Sequence, residues 1–276
     1  MSGTRDRGGP PDEAPEDGPL DEALLALDEG RPADALALLD ELPADSGERW
    51  ATAVYAFLDL ADARGAERAL AEARRLLGPE HRDVRWAEGR LCLARWDVRG
   101  ARAALGALSV DDEGAPLLEE LALLSDLEGD ARTADKLFRR AAALDPDGSP
   151  APPRLSPEDF EAVVAEAARE LPAEFARALH DMAVVIDPMP TAEIVGAPGS
   201  GHTPDILGLF VGAPLAERAR ADPSELPPTI YLFQRNLERA SLTRRELREE
   251  IRTTLYHELG HALGFDEEGV DELGLG

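Results

Sequence analysis

The chain has 276 residues, 43% of them hydrophobic but only 5% aromatic, with 56 acidic and 29 basic side chains and a formal charge of −27. That length suggests two domains or one large one, and an apolar content drawn mainly from Ala and Leu favours helices over sheets. A field this negative repels nucleic acid and anionic membrane surfaces, which excludes both as partners.

Cys92 is the only cysteine, so no intrachain disulfide forms and nothing points to an oxidising compartment. The start of the chain lacks the apolar stretch of a signal peptide. No run approaches the roughly eighteen apolar residues of a membrane span. A soluble cytoplasmic protein is the expectation.

Residues 1–17 read as a disordered acidic tail. From 18 to 147 the pattern is almost continuous helix, broken at Gly30, Gly65, Gly100 and Gly129, each expected to end one helix and open the next. An alanine follows each break, at Ala35, Ala69, Ala104 and Ala134, with spacings of 34, 35 and 30 residues. Small side chains at a fixed phase let two helices cross closely. A period near 34 in helix–turn–helix units resembles the tetratricopeptide repeat family, and Ala142-Ala143-Leu144-Asp145-Pro146 resembles the close of such a repeat. The aromatic positions of the repeat consensus are mostly absent. The resemblance implies stacked helix pairs whose concave surface takes a protein partner.

Residues 148–157 form a Pro/Gly/Ser linker, after which the texture changes. Ser156 is placed to cap a helix running through Val163, Val164 and Ala167 to Leu171. Short β-like runs follow at Met182–Ile186, Ile206–Val211 and Thr229–Phe233, separated by prolines and glycines. The stretch from Gly196 to Thr203 copies the spacing of a phosphate-binding loop, but His202 stands where the lysine is required and Pro204 follows, so a surface loop is the better reading. His81 and His180 read as solvated or core residues, and Trp50, Trp86 and Trp96 as core. The last helix has a complete start signal: Thr243 as N-cap, Glu246 as its capping-box partner, and Leu242 with Leu247 as a hydrophobic staple. Leu247, Ile251, Leu255, Leu259 and Ala262 then mark one buried stripe, and Gly264 ends the helix. The charged run from Arg244 to Arg252 reads as its solvated face.

On that helix lies His257-Glu258-Leu259-Gly260-His261. Histidines at i and i+4 share a helical face, close enough for both imidazoles to reach one metal ion. Glu258 lies about 100° round the helix from His257. There it borders the metal without binding it and is placed to take a proton from activated water and pass it to the leaving amine. Two imidazoles hold zinc loosely, so a third ligand is expected beyond Gly264, which lets the chain turn back. By spacing, Glu267 occupies that place, with Asp266 and Glu268 as neighbours able to substitute.

Residues 156–276 resemble the zinicin-like metallopeptidases, a bacterial family of minimal zincins. The similarity is carried by Phe160–Phe175, by Leu207-Gly208-Leu209-Phe210-Val211-Gly212-Ala213-Pro214-Leu215, by Leu226–Arg239, and by Glu249–Glu267. The family's third-ligand position usually holds Asp, where this chain has Glu267. The resemblance implies an α+β minimal zincin domain over 158–276 behind the all-α, tetratricopeptide-like repeats. It also implies Zn2+ as cofactor, hydrolysis of peptide bonds in a protein or peptide substrate, and a substrate-binding edge strand at Thr229–Phe233. An ordinary core strand is the equal alternative for that last segment. The second functional reading is an interaction scaffold with a structural or inactive zinc site. Glu258 weighs against it, because a structural site has no use for an acid beside its first histidine.

Overall fold

The computed structural model describes residues 18–197, 201–213 and 227–265. The acidic tail read at residues 1–17 lies outside them, as do residues 198–200 of the loop that copies a phosphate-binding spacing, and Pro214, Leu215 and Leu226. The chain divides into two compact units, Met1–Ala87 and Glu88–Gly276. In the first, α1 (Pro19–Asp28) packs on α2 (Pro32–Asp40), and α3 (Gly47–Asp59) on α4 (Ala63–Leu77). Helix α5 (Arg82–Ala94) crosses the division. The second unit continues with α6 (Val98–Leu105), α7 (Val110–Leu127) and α8 (Ala131–Leu144). No helix among the described residues is long and apolar enough to cross a membrane.

One turn recurs in four places. After α1, α3, α5 and α7 a single residue takes the left-handed conformation: Gly30 (φ 70°), Ala61 (55°), Trp96 (61°) and Gly129 (81°). The next amide each time bonds the carbonyl five residues back, as in Arg31 to Ala26 (2.8 Å), Asp62 to Phe57 (2.8 Å), Asp97 to Cys92 (2.9 Å) and Asp130 to Ser125 (2.8 Å). These are Schellman closures, which satisfy the last carbonyls of one helix while starting the next. Three of the four following helices are capped by an aspartate that accepts from the amide three residues on, Asp62 from Gly65, Asp97 from Gly100 and Asp130 from Thr133. Four residues beyond the turn-closing residue a fully buried alanine recurs, at Ala35, Ala66, Ala101 and Ala134.

Gly65 and Gly100 are therefore not turn residues. Each stands in the first turn of a helix, where a Cβ would meet Phe57 at 2.4 Å or Asp97 at 2.3 Å. Their small size leaves room for the capping carboxylate and the preceding helix, while Ala61 and Trp96 make the turns. The repeat phase moves accordingly. Ala66 and Ala101, not Ala69 and Ala104, are the counterparts of Ala35 and Ala134.

The rest of the second unit comprises α9 (Pro157–Glu170), α10 (Ala173–His180), β1 (Ala183–Asp187), β2 (Gly208–Val211), β3 (Thr229–Phe233), α11 (Gln234–Arg239) and α12 (Arg244–Leu263). The sheet runs β1-β3-β2, with β1 parallel and β2 antiparallel to β3. The core lies between it and the helices. Phe160 and Val164 of α9, Ile230 and Leu232 of β3, Leu237 of α11 and Leu247, Ile251, Leu255 and Leu259 of α12 belong to one buried cluster. Strand β3 is thus central and shielded, because both its flanks are hydrogen-bonded. It is not the edge that an extended peptide would join.

The Pro/Gly-rich segment between α8 and α9 is pinned at its end. Arg154 pairs with Asp135 of α8 (3.0 Å) and with Glu238 of α11 (2.7 Å), and the Leu155 amide donates to Glu238 as well (3.0 Å). Glu238, only 1% exposed, also accepts from Gln234. Arg235 donates to Asp126 of α7 and Asp135 of α8. Burial pushes the Asp126 carboxyl above its ordinary value despite that partner. At Asp135 burial acts the same way, but Arg235 and Arg154 together hold the carboxyl below its ordinary value. The compact division accordingly falls at 87/88, and α7 and α8 belong to the unit that holds the sheet.

Candidate metal centre

Local sequence sets the ends of α12. The Thr243 hydroxyl accepts from the Glu246 amide (3.2 Å), and the Glu246 carboxylate accepts from the Leu242 amide (3.0 Å). The cap forms, but the staple does not. Leu247 is fully buried while Leu242 stays 64% exposed, since its backbone is held by Glu246 and its side chain points away from the core. Leu247, Ile251, Leu255, Leu259 and Ala262 are all buried, which fixes the rotation of the helix and turns His257, Glu258 and His261 toward β2.

At the other end Gly264 is left-handed, with φ 97°. The turn lets the Phe265 amide bond the Gly260 carbonyl (3.1 Å) and brings the Phe265 carbonyl to Nδ1 of His261 (3.2 Å). A carbonyl only accepts, so Nδ1 of His261 carries the proton and its Nε2 presents a lone pair. This is the orienting contact that metal-binding histidines use. The Nε2 atoms of His257 and His261 converge to 3.0 Å, with their rings nearly perpendicular (83°). Two imidazoles on a tetrahedral zinc ion, each at about 2.0–2.1 Å, would hold their nitrogens roughly 3.3 Å apart. The pair fits such an ion with little adjustment.

Glu258 is 8% exposed and lies against Gly208 of β2. A Cβ at position 208 would come within 2.9 Å of the Glu258 Cγ and 2.7 Å of the Thr254 methyl, so glycine is what lets the strand approach the carboxylate. The site opens into a cleft of about 610 Å³ lined by β2, by one face of α12 and by the loop that carries His202. That loop is tied at three points. Asn236 donates to the carbonyls of Pro204 (2.9 Å) and Ile206 (2.8 Å), and the Trp96 indole N–H donates to the His202 carbonyl (2.9 Å).

Of the residues that the sequence marks, His257, Glu258 and His261 come together here. Glu267, with its neighbours Asp266 and Glu268, lies outside the described residues. Among those described, no group of three or more His, Cys, Asp or Glu side chains is placed to hold a metal ion. His202, assigned to a surface loop, lines the cleft, as do Glu250, Thr253 and Thr254. The signal for Glu250 and Thr254 is helical phase, since they precede His257 and His261 by seven residues. A capped helix presenting two imidazoles and a carboxylate beneath a short mixed sheet is the arrangement of a zincin. The family model for zincin-like metallopeptidases matches residues 179–276 of the chain. No curated protein matches it.

Proposed function

We propose that the chain is a zinc-dependent peptidase whose ion is held by His257, His261 and Glu267. The observation that carries this reading is the convergence of the two Nε2 atoms beside a buried carboxylate at the floor of a cleft. Zinc, when bound, supplies a Lewis acid that polarises the scissile carbonyl and makes water acidic near neutrality. The protein's own groups do the rest. Glu258 takes the water proton and delivers it to the departing amine, and its burial against Gly208 holds it in one place. The Phe265 carbonyl keeps the Nε2 lone pair of His261 facing its partner. Strand β2 pairs only with β3 among the described residues, and its other edge is the one that would take an extended peptide. Main-chain bonding there gives affinity with little sequence demand.

The helix pairs of residues 18–147 recruit the protein that is cut, or a partner that presents it, since stacked pairs offer an extended surface. With a formal charge of −27, a basic segment is the complementary ligand. A chain with a single cysteine suits the cytoplasm. The test is metal removal. Protein stripped with a chelator should cleave no member of a random peptide pool, and one equivalent of zinc should restore cleavage. A pool left uncut by the zinc-loaded protein would favour the scaffold reading.

A further inference from the structure

Among the described residues, no Lys or Arg lines the cleft, and the two carboxylates that do are Glu258 and Glu250. Glu258 is committed to proton transfer under the peptidase reading, on which the present inference rests. Glu250 has no such task. It is half-buried, and among the described residues it forms no hydrogen bond or ion pair. The basic residues nearest it in sequence are turned elsewhere, Arg248 to Glu166 and Arg252 to Glu170, both of α9. A half-buried carboxylate that faces a cleft and has no counter-ion among the described residues is satisfied by a cation that the ligand brings.

Its position selects the part of the ligand. Glu250 precedes His257 by seven residues, two helical turns, which puts it on the same face and about 10 Å along the axis. An extended peptide advances about 3.3 Å per residue, so a chain lying along β2 brings its third residue from the reacting bond to that carboxylate. Between the two points α12 itself contributes Thr253 and Thr254, while the strand side of the cleft is apolar, with Ile206, Leu207, Leu209 and Phe210. We infer that Glu250 is a specificity-determining residue that selects substrates with an arginine or lysine about three residues from the scissile bond, separated from it by apolar side chains.

The experiment uses the full chain and a set of fluorescein-labelled ten-residue apolar peptides in which one arginine, or one glutamine in its place, is moved through every position. Binding is read by anisotropy at about 0.15 M salt, where the chain's general charge is screened beyond about 8 Å. Cleavage is read in parallel. Arginine at one position should tighten binding several-fold over glutamine. Glu250→Gln should erase that preference, and Glu250→Arg should transfer it to a peptide with glutamate at the same position. Glu249→Gln, which removes the same charge from the neighbouring position facing α9, should leave the preference intact. Equal binding of the arginine and glutamine sets, or an equal loss in Glu249→Gln, overturns the assignment. A preference that depends on Glu250 without any cleavage would uphold Glu250 as the residue that selects a cationic side chain, and would sink the peptidase reading together with the placement relative to a scissile bond.

Discussion

Trp96 reaches from the turn between α5 and α6 to donate its indole N–H to the carbonyl of His202 at 2.9 Å. One end of that bond belongs to a helical repeat and the other to the wall of the cleft. The left-handed backbone at Trp96 (φ 61°), a conformation costly for a large side chain, is therefore kept at the place where the repeats support the site. Trp96→Phe keeps the ring and loses the donor. The expected result is a three- to tenfold rise in KM, the worth of about one hydrogen bond, with zinc content and kcat unchanged. A KM equal to that of the parent would show that Asn236 alone holds the loop.

Arg235 sits between Asp126 and Asp135, its side chain 12% exposed and that of Asp126 5%. Arg235→Ala leaves Asp126 buried without its partner and should cost about 3 kcal/mol in denaturant unfolding. The double change Arg235→Met with Asp126→Leu should recover most of that loss, because an apolar pair in the same volume needs no compensation. The same contacts bear on where the chain can be cut. A fragment of residues 88–276 should unfold cooperatively, and one of residues 156–276 should not. A stable 156–276 fragment would restore the division at the Pro/Gly-rich segment.

For the third ligand, Glu267→Ala should weaken zinc binding by roughly tenfold or more, while Asp266→Ala and Glu268→Ala should change it little. Competition with a chromogenic chelator measures this directly. If Asp266→Ala is the damaging change, the turn after Gly264 takes a different path and Glu267 supports the site from outside.

What could be read from the sequence was local. The Thr243 cap, the Gly264 turn and the His257–His261 face depend on residues within one or two helical turns, and their geometry follows from the helix alone. The repeat turns were harder, because glycine is the usual mark of a left-handed residue and two of the four turns lack it. Gly65 and Gly100 stood close by and drew the boundary to themselves. Ala61 is exposed and left-handed, so Ala61→Gly should raise stability by about 0.5–1 kcal/mol by relieving that conformation. A loss of stability would mean that the turn is held in another way. Strand order was beyond reach, since nothing in Thr229–Phe233 tells a central strand from an edge. Neither Arg235–Asp126 nor Trp96–His202 left a local trace, as each joins positions more than a hundred residues apart. Glu250 was hidden in a charged run whose other members are largely solvated.

The measurement that bears most directly on the zinc peptidase is turnover and metal content of Glu258→Gln side by side. The substitution keeps the size and polarity of the side chain against Gly208 but cannot accept a proton. It should retain one zinc per chain and lose cleavage by on the order of a hundredfold or more, the usual worth of a positioned general base. Cleavage at the parental rate with zinc retained would contradict the account, because some other group would then have to activate the water.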